Sequence, residues 1–134
     1  MDKIDWYSLS ENKNAIELLE DNQDKINWYM LFKNKNAIKL IKSNLDKNNL
    51  YNLSINSNAI EIIKNNLIKV SKCYLSQNKN AIKILQENPD KIDWEYLSVN
   101  KNAIKLLKAN SDKIDWKNIY SNPSIFYKNQ INII

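Results

Sequence analysis

Apolar residues recur along this chain with a helical spacing. In residues 100–108, Ala103, Ile104 and Leu107 fall on one face of a helix, whereas three lysines fall on the opposite face. This spacing predicts an amphipathic α-helix of about nine residues. Trp94 and Leu97 lie three residues apart and predict a second, shorter helix of about six residues. Helices this short are marginal in isolation, so each must bury its apolar face against a neighbour.

The same pattern recurs in six consecutive repeats without a gap. The strings DKIDW or DKINW and NKNAI or NSNAI recur at intervals that are multiples of 22 residues. The six repeats tile the chain as a single repeat domain with the ranges 1–22, 23–44, 45–66, 67–88, 89–110 and 111–134. Because each repeat can bury its apolar face only against its neighbours, the sequence predicts an all-α solenoid of six helix-loop-helix repeats.

Polar residues stand at both ends of the predicted helices. A residue that can cap a helix N-terminus precedes the short helix in each repeat: Asp5, Asn27, Asn49, Ser71, Asp93 and Asp115. An asparagine precedes the longer helix and is predicted to be its N-cap: Asn12, Asn34, Asn56, Asn78, Asn100 and Asn122. A second asparagine is predicted to end that helix in a left-handed conformation: Asn22, Asn44, Asn66, Asn88 and Asn110.

A leucine-rich repeat is the rival fold, because it also suits a period of 22 residues and Leu97–Asn100 matches its L-x-x-N element. The strand positions of such a repeat would fall on Glu95 and Asn102, which are polar. The Ala-Ile-x-Leu-Leu spacing is also that of a helix. The pattern therefore favours the helical solenoid.

The segments DKIDWEYLSVNKNAIKLLKAN and SDKIDWKNIYSNPSIF resemble the short tandem repeats of functionally uncharacterised proteins from giant DNA viruses of the mimivirus type. The resemblance covers the whole chain. This sequence departs from the family pattern at Lys13, Lys35, Lys79 and Lys101, where proline is common. The resemblance implies a viral helical-repeat protein of the host cytoplasm, virus factory or virion, and it implies no known activity or catalytic residue.

The composition excludes most routes to catalysis. The chain contains no glycine and no histidine, so it has neither a phosphate-binding glycine loop nor the usual neutral-pH base and metal ligand. Its single cysteine, Cys73, has no histidine to activate it. We therefore expect no enzyme activity, no cofactor and no metal site. A lone thiol also favours a reducing, intracellular compartment, and the apolar runs are too short to span a membrane.

A lysine stands at the third position of every repeat: Lys3, Lys25, Lys47, Lys69, Lys91 and Lys113. One hypothesis is that these lysines form a track for a polyanion such as nucleic acid. We favour the alternative that each lysine covers a neighbouring Trp and pairs with the preceding Asp, while the four Trp pack in the core. Arginine is absent and the net charge is only +5, so nucleic acid is an unfavoured partner.

Tyrosine recurs on the short helix, away from its apolar face: Tyr7, Tyr29 and Tyr51, and one position later Tyr74 and Tyr96. A row of exposed tyrosines is typical of a protein-binding surface, because each ring buries a large area and keeps a polar tip. The alternative is that these rings only shield the seam between repeats.

The sequence therefore predicts a non-catalytic scaffold that binds a protein partner through its tyrosines. The second hypothesis is a structural or virion component that associates with itself through its ends. The chain closes on Ile131, Ile133 and Ile134, which would either fold back over the last repeat or form an apolar interface.

Overall fold

The computed structural model describes residues 3–45 and 50–125. Within these ranges the chain is all-helical, with ten short α-helices and no β-strand. The leucine-rich alternative, which requires a strand in each repeat, is therefore wrong for the described repeats. The chain divides into two compact units, Met1–Val70 and Ser71–Ile134.

The described residues of the first compact unit form six α-helices: α1 (Trp6–Glu11), α2 (Ile16–Asp21), α3 (Trp28–Leu31), α4 (Ile38–Lys42), α5 (Leu50–Leu53) and α6 (Ile60–Lys64). Those of the second form four: α7 (Lys72–Gln77), α8 (Ile82–Glu87), α9 (Trp94–Ser98) and α10 (Ile104–Lys108). Each complete repeat thus contributes two helices, as the pattern predicts. Helices of the same kind pack side by side in successive repeats, α1 against α3 and α7 against α9.

The DKI segment is a short 3-10 turn, an element that the sequence analysis does not predict. Such turns follow the longer helices at Gln23–Lys25, Leu67–Lys69, Pro89–Lys91 and Ser111–Lys113. The sixth repeat has no α-helix within its described residues and forms a further 3-10 turn at Ile119–Ser121.

The predicted N-caps of the short helices are confirmed in the described repeats with an α-helix. Asp5 accepts hydrogen bonds from the backbone N–H groups of Tyr7 and Ser8, at 3.1 and 3.2 Å. The side chains of Asn27, Ser71 and Asp93 each accept a hydrogen bond from the backbone N–H three residues later. The side chain of Asp115 makes it to Asn118, but there it opens a turn rather than an α-helix. Asn49 lies outside the described residues.

The predicted N-cap of the longer helix is wrong. The side-chain oxygen of Asn100 accepts the N–H of Asn102 at 3.0 Å, which closes a turn before the helix. The helix begins only at Ile104, with Ala103 at the N-cap position and no side-chain cap. The longer helices therefore have five or six residues, not about nine. At the corresponding place in the sixth repeat, Pro123 lies in a turn.

The prediction that an asparagine ends each longer helix with a left-handed backbone conformation is also wrong. Asn110 has φ −137° and ψ 51°, so its backbone avoids the left-handed region. Its side-chain Nδ2 instead donates to the carbonyl of Leu106, four residues earlier, at 2.9 Å. The equivalent bond recurs at Asn22, Asn44, Asn66 and Asn88. Asparagine ends these helices by binding a free carbonyl oxygen of the last turn.

In four repeats, the asparagine at the predicted N-cap position of the longer helix joins its repeat to the one before. Asn34 Nδ2 donates to the carbonyls of Ser10 and Asn12, at 3.1 and 3.0 Å. Asn122 donates to Ser98 and Asn100, both at 2.9 Å. We call this set the asparagine ladder: Asn34 and Asn56 in the first compact unit, and Asn100 and Asn122 in the second.

Each amide of the asparagine ladder makes three hydrogen bonds, two as donor and one as acceptor, and each is buried. A buried amide is stable only when its polar atoms are paired, because an unpaired one loses its hydration without compensation. The ladder therefore supplies to each junction a contact that an apolar residue or an aspartate cannot make.

A serine supplies a second polar contact between repeats. Ser10 Oγ accepts the N–H of Asn27 at 2.9 Å and donates to the carbonyl of Trp6 at 2.7 Å. Ser98 makes the same pair of bonds with Asp115 and Trp94. Both serines are fully buried.

Three apolar positions per repeat lie deepest in the core. In the first compact unit Leu31 and Leu53 of the short helices and Leu19, Ile41 and Ile63 of the longer helices are almost fully buried. Leu75, Leu85, Leu97, Leu107 and Ile119 occupy these two positions in the second. The alanine before each longer helix is buried as well, since its small side chain allows the backbones to approach closely: Ala15, Ala37, Ala59, Ala81 and Ala103.

Candidate interaction surface

Three tyrosines of the first compact unit stand at the same place on successive short helices. Tyr7, Tyr29 and Tyr51 are the second residues of α1, α3 and α5, and they are 53%, 48% and 46% exposed. In α3 the two residues that follow Tyr29, Met30 and Leu31, are buried and face the opposite way. We call Tyr7, Tyr29 and Tyr51 the tyrosine row.

A lysine restrains the central ring of the tyrosine row. The ammonium of Lys33 lies 4.7 Å from the ring centre of Tyr29, which is a cation–π contact. The same nitrogen lies 4.0 Å from the sulfur of Met30, and the Lys33 side chain is half-buried. A ring that is already ordered loses less rotational freedom when a partner covers it.

The two other predicted tyrosines are less exposed. Tyr74 is half-buried and Tyr96 is 37% exposed. Each is the third residue of its helix rather than the second, and one residue turns a side chain by about 100° around the helix axis. The structure thus separates the five candidate tyrosines into an exposed row in the first compact unit and two more shielded rings in the second.

The region around Tyr96 contains the single thiol. Cys73 Sγ donates a hydrogen bond to Asp93 Oδ2 at 3.2 Å. This bond, together with burial and the charge of Asp93, raises the pKa of the Cys73 thiol above its ordinary value. The negative charge that Cys73 gains when it ionises, together with that of Glu95, raises the pKa of the Tyr96 phenol in turn. Both groups are therefore held in their neutral forms, which opposes a nucleophilic role for Cys73.

Asp93→Asn is expected to increase the rate at which iodoacetamide alkylates Cys73 by several-fold near pH 8.5. The substitution preserves the helix cap but removes the carboxylate that raises the thiol pKa, so thiolate forms at a lower pH. The measurement is the alkylation rate against pH, followed by mass spectrometry.

Asp115→Asn is the matched control, because Asp115 holds the equivalent cap position in the next repeat. We expect its alkylation profile to equal that of the unchanged chain. An unchanged rate in Asp93→Asn would contradict the assigned role of Asp93.

Two of the repeated lysines cover tryptophan rings of the preceding repeat. Lys25 Nζ lies 5.2 Å from the ring centre of Trp6, and Lys113 Nζ lies 5.1 Å from that of Trp94. Lys25 also donates to Asn22 Oδ1 at 3.2 Å. Lys25 and Lys113 are therefore engaged within the protein, as the favoured alternative in the sequence analysis expects.

The sequence analysis also expects each of these lysines to pair with the preceding aspartate. Among the described residues this pairing is seen at Lys91, whose Nζ lies 4.0 Å from Asp90 Oδ2. Asp90 is exposed, so this pair contributes little to stability. Of the other members of the polyanion set, Lys3 and Lys69 are exposed and Lys47 lies outside the described residues.

The expectation that all four tryptophans pack in the core is wrong. Trp6, Trp28 and Trp94 are half-buried, and Trp116 is 43% exposed. Their rings lie at the edge of the core, where a lysine of the next repeat covers two of them. The sequence analysis did not identify Tyr120, which is 59% exposed. Tyr120 could have been singled out, because it stands where four other repeats have a small serine.

Comparison with protein-family models, curated proteins and solved structures gives no match to this chain. The kinship with giant-virus repeat proteins, and the viral location that it implies, therefore stay predictions from the motif. Within the described ranges, no helix has the length and apolar character needed to cross a membrane. In the same part of the chain, no three His, Cys, Asp or Glu side chains group together as metal ligands would. Ile131, Ile133 and Ile134 lie outside the described residues.

Proposed function

We propose that this chain is a non-catalytic helical-repeat scaffold that binds a protein partner through the tyrosine row. The observation that carries the proposal is the repeated exposure of Tyr7, Tyr29 and Tyr51 at one helical position. Large aromatic rings usually stay buried in a folded chain, and tyrosine is enriched where proteins meet.

The arrangement of the row suits recognition of a protein. Repeating one helix at a fixed interval presents its second residue at a fixed interval as well, which is how helical-repeat proteins build extended binding surfaces. Within the first compact unit, α1 packs against α3 and the asparagine ladder joins their repeats. The rigid backbone and the restrained Tyr29 ring reduce the conformational entropy lost on binding.

The contacts of the lysines support this function over polyanion binding. Lys25 and Lys113 would have to leave the Trp6 and Trp94 rings to contact phosphates. The first repeat also presents exposed Glu11, Glu17 and Glu20, which repel a polyanion. We therefore expect negligible retention on heparin at about 150 mM salt, a condition in which phosphate contacts are already weakened.

The test replaces Tyr7, Tyr29 or Tyr51, one at a time, by the photo-crosslinking residue benzoylphenylalanine in the full chain. We expect all three positions to crosslink to the same protein in a lysate of the source cells, because one partner covers the whole row. The triple variant Tyr7→Ala/Tyr29→Ala/Tyr51→Ala is expected to lose this protein in a pull-down, with its helical circular dichroism unchanged.

Tyr120 supplies the matched control, since it is an exposed tyrosine outside the five candidates. A crosslinker at position 120 is expected to give no adduct with the same protein, and Tyr120→Ala is expected to retain the partner. Adducts that differ at every position, or full retention by the triple variant, would contradict the proposal. Steeply salt-dependent binding to heparin at about 150 mM salt would favour the polyanion hypothesis instead.

A further inference from the structure

The junctions between repeats use one set of donors and acceptors within each compact unit. The ladder asparagine donates to two carbonyls of the preceding repeat, as Asn122 does to Ser98 and Asn100. Two residues later, another asparagine side chain donates to the preceding repeat, as Asn102 does to the carbonyl of Lys79 at 2.8 Å. Lysine covers tryptophan across the junction in both units.

The first repeat carries these donors without their acceptors. Asn12 holds the ladder position, yet it is exposed, and its Nδ2 donates to no residue in the part of the chain that the structure describes. The Nδ2 of Asn14 also lacks an acceptor there, whereas that of Asn36 binds the carbonyl of Lys13. Ile4 is 56% exposed, although Ile26 at the same position is only 8% exposed. We call Lys3, Ile4, Asn12 and Asn14 the donor face.

Within its described residues, the sixth repeat carries the acceptors without their donors. The carbonyl of Asn100 binds both Ala103 N–H and Asn122 Nδ2, whereas that of Asn122 binds only Ile125 N–H within the described residues. Among the same residues, the carbonyls of Tyr120 and Pro123 accept no hydrogen bond. We call Trp116, Tyr120, Asn122 and Pro123 the acceptor face.

Trp116 shows the same lack of a partner. Trp6 and Trp94 each lie under a lysine ammonium and are half-buried. Trp116 holds the equivalent position, is 43% exposed, and has no lysine over its ring among the described residues. An exposed indole next to carbonyl oxygens that accept no side-chain donor within the described residues is half of the junction that other repeats complete.

We propose that the acceptor face binds the donor face of a second copy of this chain. Asn12 Nδ2 of one copy donates to the Tyr120 and Asn122 carbonyls of the other, and Asn14 Nδ2 donates to Pro123. Lys3 covers Trp116 as Lys25 covers Trp6. The contact continues an interface that the protein already makes internally, and it goes beyond the proposed function because it does not use the tyrosine row.

Charge favours the same pairing. The first repeat contains six acidic residues and two lysines. Residues 101–117 contain five lysines and two aspartates. The first repeat and residues 101–117 therefore carry opposite net charge, which favours the approach of one to the other and disfavours the approach of two first repeats. The interface is therefore heterologous, so copies add head to tail into rings or open chains.

The test measures the mass of the full chain by light scattering after size exclusion, from about 5 to 200 µM, where small interfaces associate. We expect the mass to rise above the monomer. Asn12→Asp retains the side-chain oxygen that binds Asn14 N–H and removes the Nδ2 donor. Asn12→Asp and Trp116→Ala are each expected to weaken association about tenfold or more, and both sites are exposed, so folding is preserved.

A mixing experiment identifies the head-to-tail geometry. Asn12→Asp retains an intact acceptor face, and Trp116→Ala retains an intact donor face. Mixing the two variants is therefore expected to give a one-to-one dimer that neither forms alone. Ile68→Ala is the control, because it shortens a side chain that is 94% exposed and lies outside both faces, and it is expected to leave association unchanged.

Three results would overturn the proposal. One is a chain that remains monomeric throughout this concentration range. Another is association that persists unchanged in both Asn12→Asp and Trp116→Ala. The third is association that appears only when Ile131, Ile133 and Ile134 are replaced by serine, since the acceptor face would then be occupied by the end of its own chain.

Discussion

Replacing Asn100 by alanine is expected to lower the free energy of unfolding by about 3 kcal/mol. The substitution removes the donors that bind the carbonyls of Ser76 and Asn78, at 2.8 and 3.2 Å, and the acceptor that binds Asn102 N–H. Asn100 is only 4% exposed, so water does not readily replace these bonds. The measurement is urea unfolding followed by far-UV circular dichroism.

Two asparagines provide controls for Asn100→Ala. Asn12→Ala removes the same amide where it makes only the local turn bond, and Asn110→Ala removes one bond to Leu106 within the same compact unit. Each is expected to cost about 1 kcal/mol or less. An equal loss in the free energy of unfolding at all three positions would mean that a ladder asparagine stabilises the fold no more than an asparagine in a local turn does.

Leu97→Ala is expected to cost about 3–4 kcal/mol, because it leaves a cavity in a close-packed core. Leu97 is fully buried in α9. Trp94→Ala, in the same helix, removes a larger side chain but is expected to cost only about 1–2 kcal/mol, since a half-buried ring loses less buried area. Urea unfolding of both variants gives the comparison.

The order of these two effects tests the placement of tryptophan at the edge of the core. Lys113→Ala provides a further control, because it uncovers the Trp94 ring without changing the core and is expected to cost about 0.5–1 kcal/mol. A larger loss for Trp94→Ala than for Leu97→Ala would contradict this placement.

Local features of the fold were predictable from the sequence. The two helices per repeat follow from the apolar spacing, and the caps at Asp5, Asn27, Ser71 and Asp93 follow from their short side-chain acceptors. Both features depend on residues within one helical turn of each other, so contacts with the rest of the chain alter them little.

The role of Asn100 was not predicted, because its partners lie 22 and 24 residues away and a local pattern does not contain them. The repeats did contain a clue. The cap of the short helix varies among Asp, Asn and Ser, since a cap needs only an acceptor. The ladder position is Asn in all six repeats, which indicates that donors are needed as well.

The candidate site was predictable only in part. The outward position of Tyr7, Tyr29 and Tyr51 follows from the helical period, whereas the different exposure of Tyr74 and Tyr96 depends on the packing around each ring. The exposure of Trp116 depends on which neighbour covers it. A property that belongs to a junction is not encoded in either repeat alone.

The asparagine ladder also sets which length changes the chain tolerates. Each ladder amide donates to two backbone carbonyls, 22 and 24 residues earlier in the chain. Every residue has a backbone carbonyl, so these bonds do not depend on the side chains of the preceding repeat. A duplication or loss of one whole repeat within a compact unit preserves every such bond, whereas an insertion of any other length moves the next asparagine off its acceptors. The asparagine ladder is therefore compatible with changes of length only in steps of one repeat.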